Sequence, residues 1–226
     1  MNLNISAWKH VFKLDPDRSL DESALERLCL SGTDAIMVGG SSGVTYDNTV
    51  DLMSRIRRFE VACVQEISTD EAVVPGFDLY FIPSVLNTEQ GRWITGRHHQ
   101  ALKDYGALLD WSRVVPEGYV ILNPDSTAAR LTGAQELEEP EDLKAYARLA
   151  DKLFRLPVFY VEYSGAFGNM EWVRQAKHVL EEARLFYGGG ISSEEQARQA
   201  AEAAHTIVVG NIIYEDLERA LSTVLK

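Results

Sequence analysis

The feature that most constrains the fold of this sequence is a pair of apolar runs near the C-terminus, each ending in a glycine turn. Residues 185–190 read LFYGGG and residues 206–211 read TIVVGN. Residues 192–195, SSEE, are typical of the cap and acidic first turn of a helix. From Ile212 onward, apolar side chains recur at helical spacing, which predicts a second helix. The order of strand, glycine turn and helix therefore occurs twice in succession.

The two glycine turns are suited to holding a phosphate. Glycine backbone at such a turn leaves N–H groups open to an anion, and the start of a helix points further free N–H groups toward it. Either motif alone is also compatible with a simple tight turn or helix start, whereas the two in tandem favour a phosphate site. In parallel α/β barrels a phosphate commonly sits after strands seven and eight, so the number of preceding strands tests this interpretation.

The rest of the chain alternates predicted strands with predicted helices and brings the strand count to eight. Only residues 68–77 separate the third strand from the fourth, too few for the helical crossover that parallel strands usually need. The prediction is a modified (β/α)8 TIM barrel of the α/β class, in which the helix after strand three is missing or replaced by extended chain. Strands are predicted at 10–14, 35–38, 61–67, 79–82, 119–122, 158–163 and the two C-terminal runs.

The segments between these strands carry the predicted helices and one conspicuous polar stretch. Residues 127–140 are polar and weakly patterned, which predicts a mobile loop over the site or an ordinary surface loop. Helices are predicted at 21–30, 48–59, 97–110, 141–154, 169–183 and after each glycine turn.

Length and charge narrow the class of protein. The 226 residues fit a single barrel domain spanning 1–226, and the formal net charge of -12 argues against a nucleic-acid partner. No apolar run approaches the ~20 residues that span a bilayer, and the first ten residues lack the apolar core of a signal peptide. We therefore expect a cytoplasmic protein. Cys29 and Cys63 fit buried reduced thiols better than a disulfide or a metal pair.

Lys13 and Asp15 at the end of the first strand are candidates for ligand binding. Their spacing of two residues places both side chains on the same face of the strand. A carboxylate near hydroxyl donors, such as the serines of the GGSSG turn at 39–43, suits Mg²⁺, which is commonly completed by waters and substrate phosphates. The alternatives are a turn-capping role for Asp15 before Pro16 and a salt bridge between Lys13 and Asp15.

Glu162 and Tyr163 stand at the end of the sixth strand, where apolar residues usually fill the barrel wall. A buried unpaired charge costs about several kcal/mol, so Glu162 is expected to serve a ligand or an internal cation, and it could act as a base toward a hydroxyl. Tyr163 is suited to donating to a ligand oxygen, or else to aromatic packing. Glu66 and Asn123 occupy comparable strand ends.

Other catalytic signatures are missing from the sequence. The adjacent His98 and His99 point in different directions on a helix, and the chain contains no C-x-x-C or Walker-type motif. The chemistry is therefore expected from carboxylates, a lysine and the glycine turns.

Six blocks of sequence, in order along nearly the whole chain, carry a family resemblance. They are WKHVFKLDP (8–16), GTDAIMVGGSSGVT (32–45), PGFDLYFIPSVLN (75–87), FYVEYSG (159–165), FYGGG (186–190) and IVVGN (207–211). On these blocks the chain resembles the bacterial heptaprenylglyceryl phosphate synthases, of the geranylgeranylglyceryl phosphate synthase superfamily.

The resemblance implies prenyl transfer from a long polyprenyl diphosphate, heptaprenyl (C35) in this family, to the 3-hydroxyl of sn-glycerol 1-phosphate, with Mg²⁺ as cofactor. By the same resemblance, Asp15 and Ser41 match the Mg²⁺ ligands. The candidate catalytic residues are Asp15 and, as a lone carboxylate at a strand end, Glu162. The resemblance also implies a homodimer, and the apolar substrate suggests peripheral contact with the inner face of the membrane. The glycerol-phosphate site would be formed by Lys13, Tyr160, Val161, Glu162, Tyr163, Ser164, Gly165, Gly190, Gly210 and Asn211.

A C35 chain needs a long apolar groove, and the missing helix after strand three offers an opening for it. Ala101 and Tyr105, four residues apart on the following predicted helix, are candidates to line or bound that groove. Three other classes share the phosphate site: a sugar-phosphate isomerase, a flavin-binding oxidoreductase and a non-catalytic phosphate-binding barrel.

Overall fold

In the computed structural model, which describes residues 3–67, 69 and 72–225, eight parallel strands close into a barrel with the order β1 to β8. Each strand pairs with its neighbour in the sequence, and β8 pairs with β1. The prediction of a (β/α)8 barrel is thereby confirmed. The strands are His10–Leu14 (β1), Ala35–Val38 (β2), Ala62–Glu66 (β3), Leu79–Val85 (β4), Val114–Ile121 (β5), Val158–Glu162 (β6), Arg184–Gly188 (β7) and Thr206–Val209 (β8).

Helices cover the outside of the barrel. Amphipathic sequence and polar caps explain their positions; Asp21, for example, accepts a hydrogen bond from the backbone N–H of Ala24 at the start of the first helix. They are Glu22–Cys29 (α1), Tyr46–Ile56 (α2), Arg97–Tyr105 (α3), Thr127–Thr132 (α4), Pro140–Arg148 (α5), Met170–His178 (α6), Glu194–Ala203 (α7), Ile212–Glu215 (α8) and Leu217–Ser222 (α9). In the part of the chain described, none of these helices is long and apolar enough to cross a bilayer.

The helices of two segments differ from the prediction. The polar stretch 127–140 was expected to be a loop, but its first half forms α4, because Ser126 caps the helix and Gly133, at φ 64°, ends it. The single helix expected after β8 is divided into α8 and α9 at Asp216, whose extended backbone ends one helix and whose side chain caps the next.

The connection from β3 to β4 contains no α-helix at residues 67, 69 and 72–78, as predicted; Ser68, Asp70 and Glu71 lie outside the described residues. The outward-facing side chain of Gln65 holds this segment in place. Its Nε2 donates to the carbonyl of Ala72 (2.7 Å), and its Oε1 accepts from the N–H of Val74 (3.2 Å). Val74 and Phe77 are buried in the layer that a helix would otherwise fill.

The core has two layers, and the alternation of side chains along each strand separates them. Phe12 and Leu14 belong to the outer layer, between the barrel and its helices, whereas Val11 belongs to the inner layer that fills the barrel. Lys13 shares the inward parity of Val11. Near the C-terminal ends of the strands the inner positions become polar, and this change from apolar to polar marks the candidate site. Its inner residues are Lys13, Glu66, Glu117, Tyr119, Tyr160 and Glu162.

Candidate active site

Lys13 on β1 is paired with Glu66 on β3, across the interior of the barrel. The Lys13 ammonium donates to Oε2 of Glu66. The alternative of a salt bridge from Lys13 to Asp15 is therefore not what the structure contains. Burial lowers the pKa of Lys13, but the neighbouring charges of Glu66 and Glu162 outweigh it and leave that pKa above its usual value. Lys13 is a permanent cation in the floor of the site.

Glu162 on β6 is 6% exposed, and its Oε2 accepts a hydrogen bond of 2.8 Å from the hydroxyl of Tyr119. Burial raises the pKa of the Glu162 carboxyl, while the charge of Lys13 and the Tyr119 hydrogen bond oppose that rise. A carboxylate with a raised pKa holds a proton more strongly than an exposed one. Glu162 is therefore suited to accept a proton from a hydroxyl group bound above it.

Two inner residues of β5, Glu117 and Tyr119, were missed as site residues. The strand was predicted to begin at residue 119, but it begins at Val114. Pro116 and Gly118, residues that are uncommon inside strands, stand in the stretch that was left out. Period-two alternation back from Ile121 is the signal that would have placed both side chains inside the barrel. Glu117 is completely buried, and neither of its carboxyl oxygens has a hydrogen-bond partner.

Tyr160 on β6 lies beside Tyr119, and the two rings stack with centroids 4.5 Å apart. The Tyr160 hydroxyl is buried and has no protein partner. It lies against Gly188 at the end of β7, where a β-carbon would be only 2.3 Å from the hydroxyl oxygen. Glycine at position 188 therefore leaves the room that the Tyr160 hydroxyl occupies.

The side chains of Val161 and Tyr163 belong to the outer layer. Val161 is buried in it, and the Tyr163 ring lies 6.1 Å from that of Tyr187 and against Gly168. Their backbone, by contrast, faces the neighbouring strand: the Tyr163 N–H donates to the carbonyl of Gly188 at 2.7 Å. Any contribution of these two residues to a ligand in the barrel is therefore expected from the backbone.

The glycine turn after β7 packs against the loop that follows β6. Gly189 has φ 145° and Gly190 has φ 59°, and a β-carbon on Gly190 would be 2.2 Å from the backbone nitrogen of Phe167. The loop itself contains Ser164 and Gly165, and the side chain of Asn123 donates to the Ser164 carbonyl at 2.6 Å. These contacts fix the backbone around the predicted phosphate site.

The second glycine turn follows β8, the neighbour of β7. Gly210 lies near the backbone of Lys13, with the Lys13 carbonyl oxygen 3.5 Å from the position of a β-carbon. Asn211 precedes α8 without capping it, and its side-chain oxygen accepts from a guanidinium nitrogen of Arg18 at 3.5 Å. Gly190, Gly210 and Asn211 thus stand at the C-terminal ends of adjacent strands.

Asp15 and Ser41 lie at the mouth beside β1 and β2. Oδ1 of Asp15 accepts from the N–H of Asp17 at 3.0 Å, which is the turn-capping role considered from the sequence. The same carboxylate lies against Gly40, where a β-carbon would be 2.5 Å from Oδ1, and Ser41 follows as an exposed residue. Burial raises the pKa of the Asp15 carboxyl.

The residues at this mouth fit Mg²⁺. Within the described residues, no group of three or more His, Cys, Asp or Glu side chains could enclose a metal ion. Mg²⁺ commonly takes one or two protein oxygens and completes its shell with water and substrate phosphates, and a carboxylate with a neighbouring hydroxyl supplies that number.

The sequence pattern of the PcrB family matches residues 3–226. The chain belongs to the PcrB family. Among curated relatives, the heptaprenylglyceryl phosphate synthase of Bacillus cereus (strain ATCC 10987 / NRS 248) is 55% identical over 221 residues, which cover 98% of this chain and 96% of the relative.

Solved structures resemble this PcrB chain over most of its length. The (S)-3-O-geranylgeranylglyceryl phosphate synthase of Thermoplasma acidophilum, crystallised with its substrate sn-glycerol-1-phosphate, is 25% identical with a TM-score of 0.82, covering 96% of this chain and 93% of that one. The corresponding enzyme of Thermoplasma volcanium is 23% identical with a TM-score of 0.83, covering 96% and 92%, and shows the shared fold.

The site of this PcrB protein combines three chemical capacities. Backbone N–H groups at two glycine turns are suited to a phosphate, Asp15 and Ser41 to a metal-bound diphosphate, and Glu162 to a hydroxyl proton. Glu162 and Gly188 occupy paired positions on β6 and β7, so Glu162 lies directly beside the first glycine turn.

Proposed function

We propose that this PcrB protein is a Mg²⁺-dependent prenyltransferase, acting as one domain over residues 1–226. It transfers a heptaprenyl (C35) group from its diphosphate to the 3-hydroxyl of sn-glycerol 1-phosphate, forming an ether and pyrophosphate. The observation that carries the proposal is the paired position of Glu162 and Gly188, because it supports a role for the buried Glu162 carboxylate as proton acceptor next to the glycine turn after β7. The names of the relatives, a heptaprenylglyceryl phosphate synthase and a structure containing sn-glycerol-1-phosphate, support the same reaction.

The acceptor is held by its phosphate. The N–H groups around Gly190, Gly210 and Asn211 bind the phosphate oxygens, and the polyol extends from there toward Lys13 and Glu162. Ser164, Gly165 and the backbone of Tyr160, Val161 and Tyr163 complete the wall on the β6 side.

Glu162 acts as the base. The 3-hydroxyl oxygen attacks C1 of the prenyl donor while its proton passes to a Glu162 carboxyl oxygen. The C1–O bond to the diphosphate breaks, and its electron pair leaves with pyrophosphate. The Tyr119 hydroxyl, 2.8 Å from Oε2, holds the carboxylate in place for this transfer.

The donor diphosphate lies at Asp15 and Ser41. When bound, Mg²⁺ neutralises charge on the leaving pyrophosphate. Asp15 is held for this role by its backbone, because the N–H of Asp15 donates to the hydroxyl oxygen of Tyr214 at 2.9 Å.

The prenyl chain leaves the mouth on the side where the helix after β3 is replaced by extended chain. Ala101, half-buried on α3, and Tyr105, which is 55% exposed, border its path. The protein acts as a homodimer, which the family resemblance supports, and it contacts the membrane peripherally, which the apolar donor supports. Light scattering tests the dimer, and vesicle co-sedimentation tests the membrane contact.

The experiment that tests the reaction is an end-point assay read by mass spectrometry. Purified protein is incubated with sn-glycerol 1-phosphate, Mg²⁺ and C15, C20 or C35 prenyl diphosphate in separate reactions. We expect an ether with the C35 donor, lost with EDTA and in Asp15→Ala. The absence of an ether with every donor would contradict the proposal and leave only phosphate binding.

A further inference from the structure

Glu117 lies in the barrel interior without any of the partners that a buried carboxylate normally has. It is completely buried on β5, and both carboxyl oxygens lack a hydrogen-bond partner. Burying an ionised carboxylate without a partner destabilises the fold by roughly several kcal/mol, so a buried carboxyl group is normally paired with a cation or protonated. The reaction described above assigns Glu117 no role.

Glu66 also has a carboxyl oxygen without a partner. Its Oε2 accepts from the Lys13 ammonium, but its Oε1 is buried and has no partner. Glu66 and Glu117 share the inward parity of Val64 and Val115 on the odd-numbered strands β3 and β5, and side chains from alternate strands share a layer in a barrel of this kind. Lys13 also projects inward from an odd-numbered strand, β1.

The charges in this interior do not balance if every group is ionised. Lys13 carries one positive charge, against the carboxyls of Glu66, Glu117 and Glu162 on three strands. The remaining polar neighbours, Tyr119 and Tyr160, are neutral phenols. Burial raises the pKa of Glu117 well above its usual value, and the charge of Glu66 raises it further. One proton on Glu117 leaves an ion pair at the floor and a single carboxylate, Glu162, at the mouth.

We propose that Glu117 is a neutral carboxylic acid that donates its proton to Oε1 of Glu66 and thereby positions Glu66 and Lys13 under the acceptor substrate. The chain of hydrogen bonds runs from the Glu117 hydroxyl to Glu66 Oε1, and from the Lys13 ammonium to Glu66 Oε2. Glu66 Oε1 and one Glu117 oxygen then have a partner, and the other Glu117 oxygen is a neutral carbonyl rather than a buried charge. Glu117 is a positioning residue: it acts on the acceptor through Glu66 and Lys13. Its protonation follows from the cluster alone, whereas its link to the acceptor rests on the proposed function.

Infrared spectroscopy tests the protonation on the wild-type protein. A neutral carboxylic acid has a carbonyl stretch above the carboxylate bands, and this stretch shifts on exchange into D2O. We expect such a band at neutral pH, present in wild type and in Glu162→Gln and lost in Glu117→Gln. A spectrum without the band, or a band that survives in Glu117→Gln, would overturn the proposal whether or not the protein transfers prenyl groups.

A matched pair of variants tests the positioning role. The amide of Glu117→Gln can donate to Glu66, whereas the apolar side chain of Glu117→Leu cannot. We expect the Kd for sn-glycerol 1-phosphate, measured by calorimetry, to rise about tenfold in Glu117→Leu and to stay within about threefold of wild type in Glu117→Gln. Equal Kd values in the two variants would contradict the positioning role.

Circular dichroism verifies folding, and Glu117→Met replaces Glu117→Leu if the latter does not fold. Binding without transfer would count against the proposed reaction alone, because the band and the Kd difference do not depend on turnover.

Discussion

The Tyr119 hydroxyl donates to Oε2 of Glu162 at 2.8 Å, joining β5 to β6 inside the barrel at the point where the acceptor hydroxyl is expected. This hydrogen bond stabilises the charged form of Glu162 and opposes the rise in pKa that burial causes. The proton affinity of the proposed base therefore depends on a residue from the neighbouring strand.

Removal of that donor is expected to shift the pH profile of the reaction. A base must be ionised, so kcat/KM falls as the pH drops through the pKa of Glu162, which burial places above the ordinary value of 4.5. In Tyr119→Phe the charged form loses its hydrogen bond, and the falling limb should move to higher pH. Initial rates across pH measure the limb, with Tyr146→Phe on the outer helix α5 as control. An unshifted limb would argue against Glu162 as the base.

We expect the dependence of the reaction rate on Mg²⁺ to change when Asp15 or Ser41 is substituted. Asp15→Asn weakens the carboxylate ligand, and Ser41→Ala removes a hydroxyl, so both should raise the Mg²⁺ concentration needed for half-maximal rate, by about tenfold or more for Asp15→Asn. Mg²⁺ titration of the rate measures this shift. Asp51→Asn, at an exposed position of α2, should match wild type. Wild-type Mg²⁺ dependence in Asp15→Asn would place the metal elsewhere.

Gly190→Ala is expected to abolish phosphate binding. The substitution forces a β-carbon to within 2.2 Å of the Phe167 backbone at a φ of 59°, so the turn must move away from the loop after β6. Calorimetry with sn-glycerol 1-phosphate and with inorganic phosphate measures the loss. Gly91→Ala, where a β-carbon meets nothing within 4 Å, is the matched control. Binding retained in Gly190→Ala would remove this turn from the phosphate site.

Ala101→Trp is expected to shorten the preferred prenyl donor. Ala101 is half-buried on α3, and an indole there would fill the path assigned to the distal end of a C35 chain. Competition among C15, C20 and C35 diphosphates, read by mass spectrometry, gives the preference. Gln100→Trp, at the exposed neighbouring position, should leave it unchanged. A C35 preference that survives in Ala101→Trp would exclude this path.

The raised pKa of Glu117 predicts that the free energy of unfolding falls as the pH rises. Its folded pKa lies above the unfolded value of 4.5, so the unfolded state releases the proton first as the pH rises. Wild type should therefore lose stability with rising pH above about 4.5, over the window up to the folded pKa. Glu117→Gln lacks this proton and should gain stability relative to wild type over that window. Denaturant unfolding at several pH values measures the difference; a constant difference would mean that Glu117 titrates normally.

Local sequence predicted the barrel because its signals agree. Runs of β-branched and aromatic residues, such as 206–209, predict the strands, and the glycine turns that follow them predict where the strands end. The break after β3 was equally readable, since residues 68–77 are too few for a crossover helix. Glu162 was identifiable because a charge stands in an otherwise apolar strand end.

The interior pairing could not be predicted because it is made between distant strands. Lys13 and Asp15 share a strand face, which suggested that they pair, whereas Lys13 reaches Glu66, 53 residues away in sequence, across the barrel. Glu117 was hidden by Pro116 and Gly118, whose local preference for turns is overridden by pairing with β4. The charge balance of the site therefore became visible only in three dimensions.

The measurement that tests the reaction most directly is a competition between isotopically labelled sn-glycerol 1-phosphate and unlabelled sn-glycerol 3-phosphate for heptaprenyl diphosphate. Mass spectrometry of the ether should find the label of the 1-phosphate almost exclusively, and the rate should fall about 100-fold or more in Glu162→Gln. Equal incorporation of the two acceptors, or an undiminished rate in Glu162→Gln, would contradict a site built from a phosphate-binding turn and a neighbouring carboxylate base.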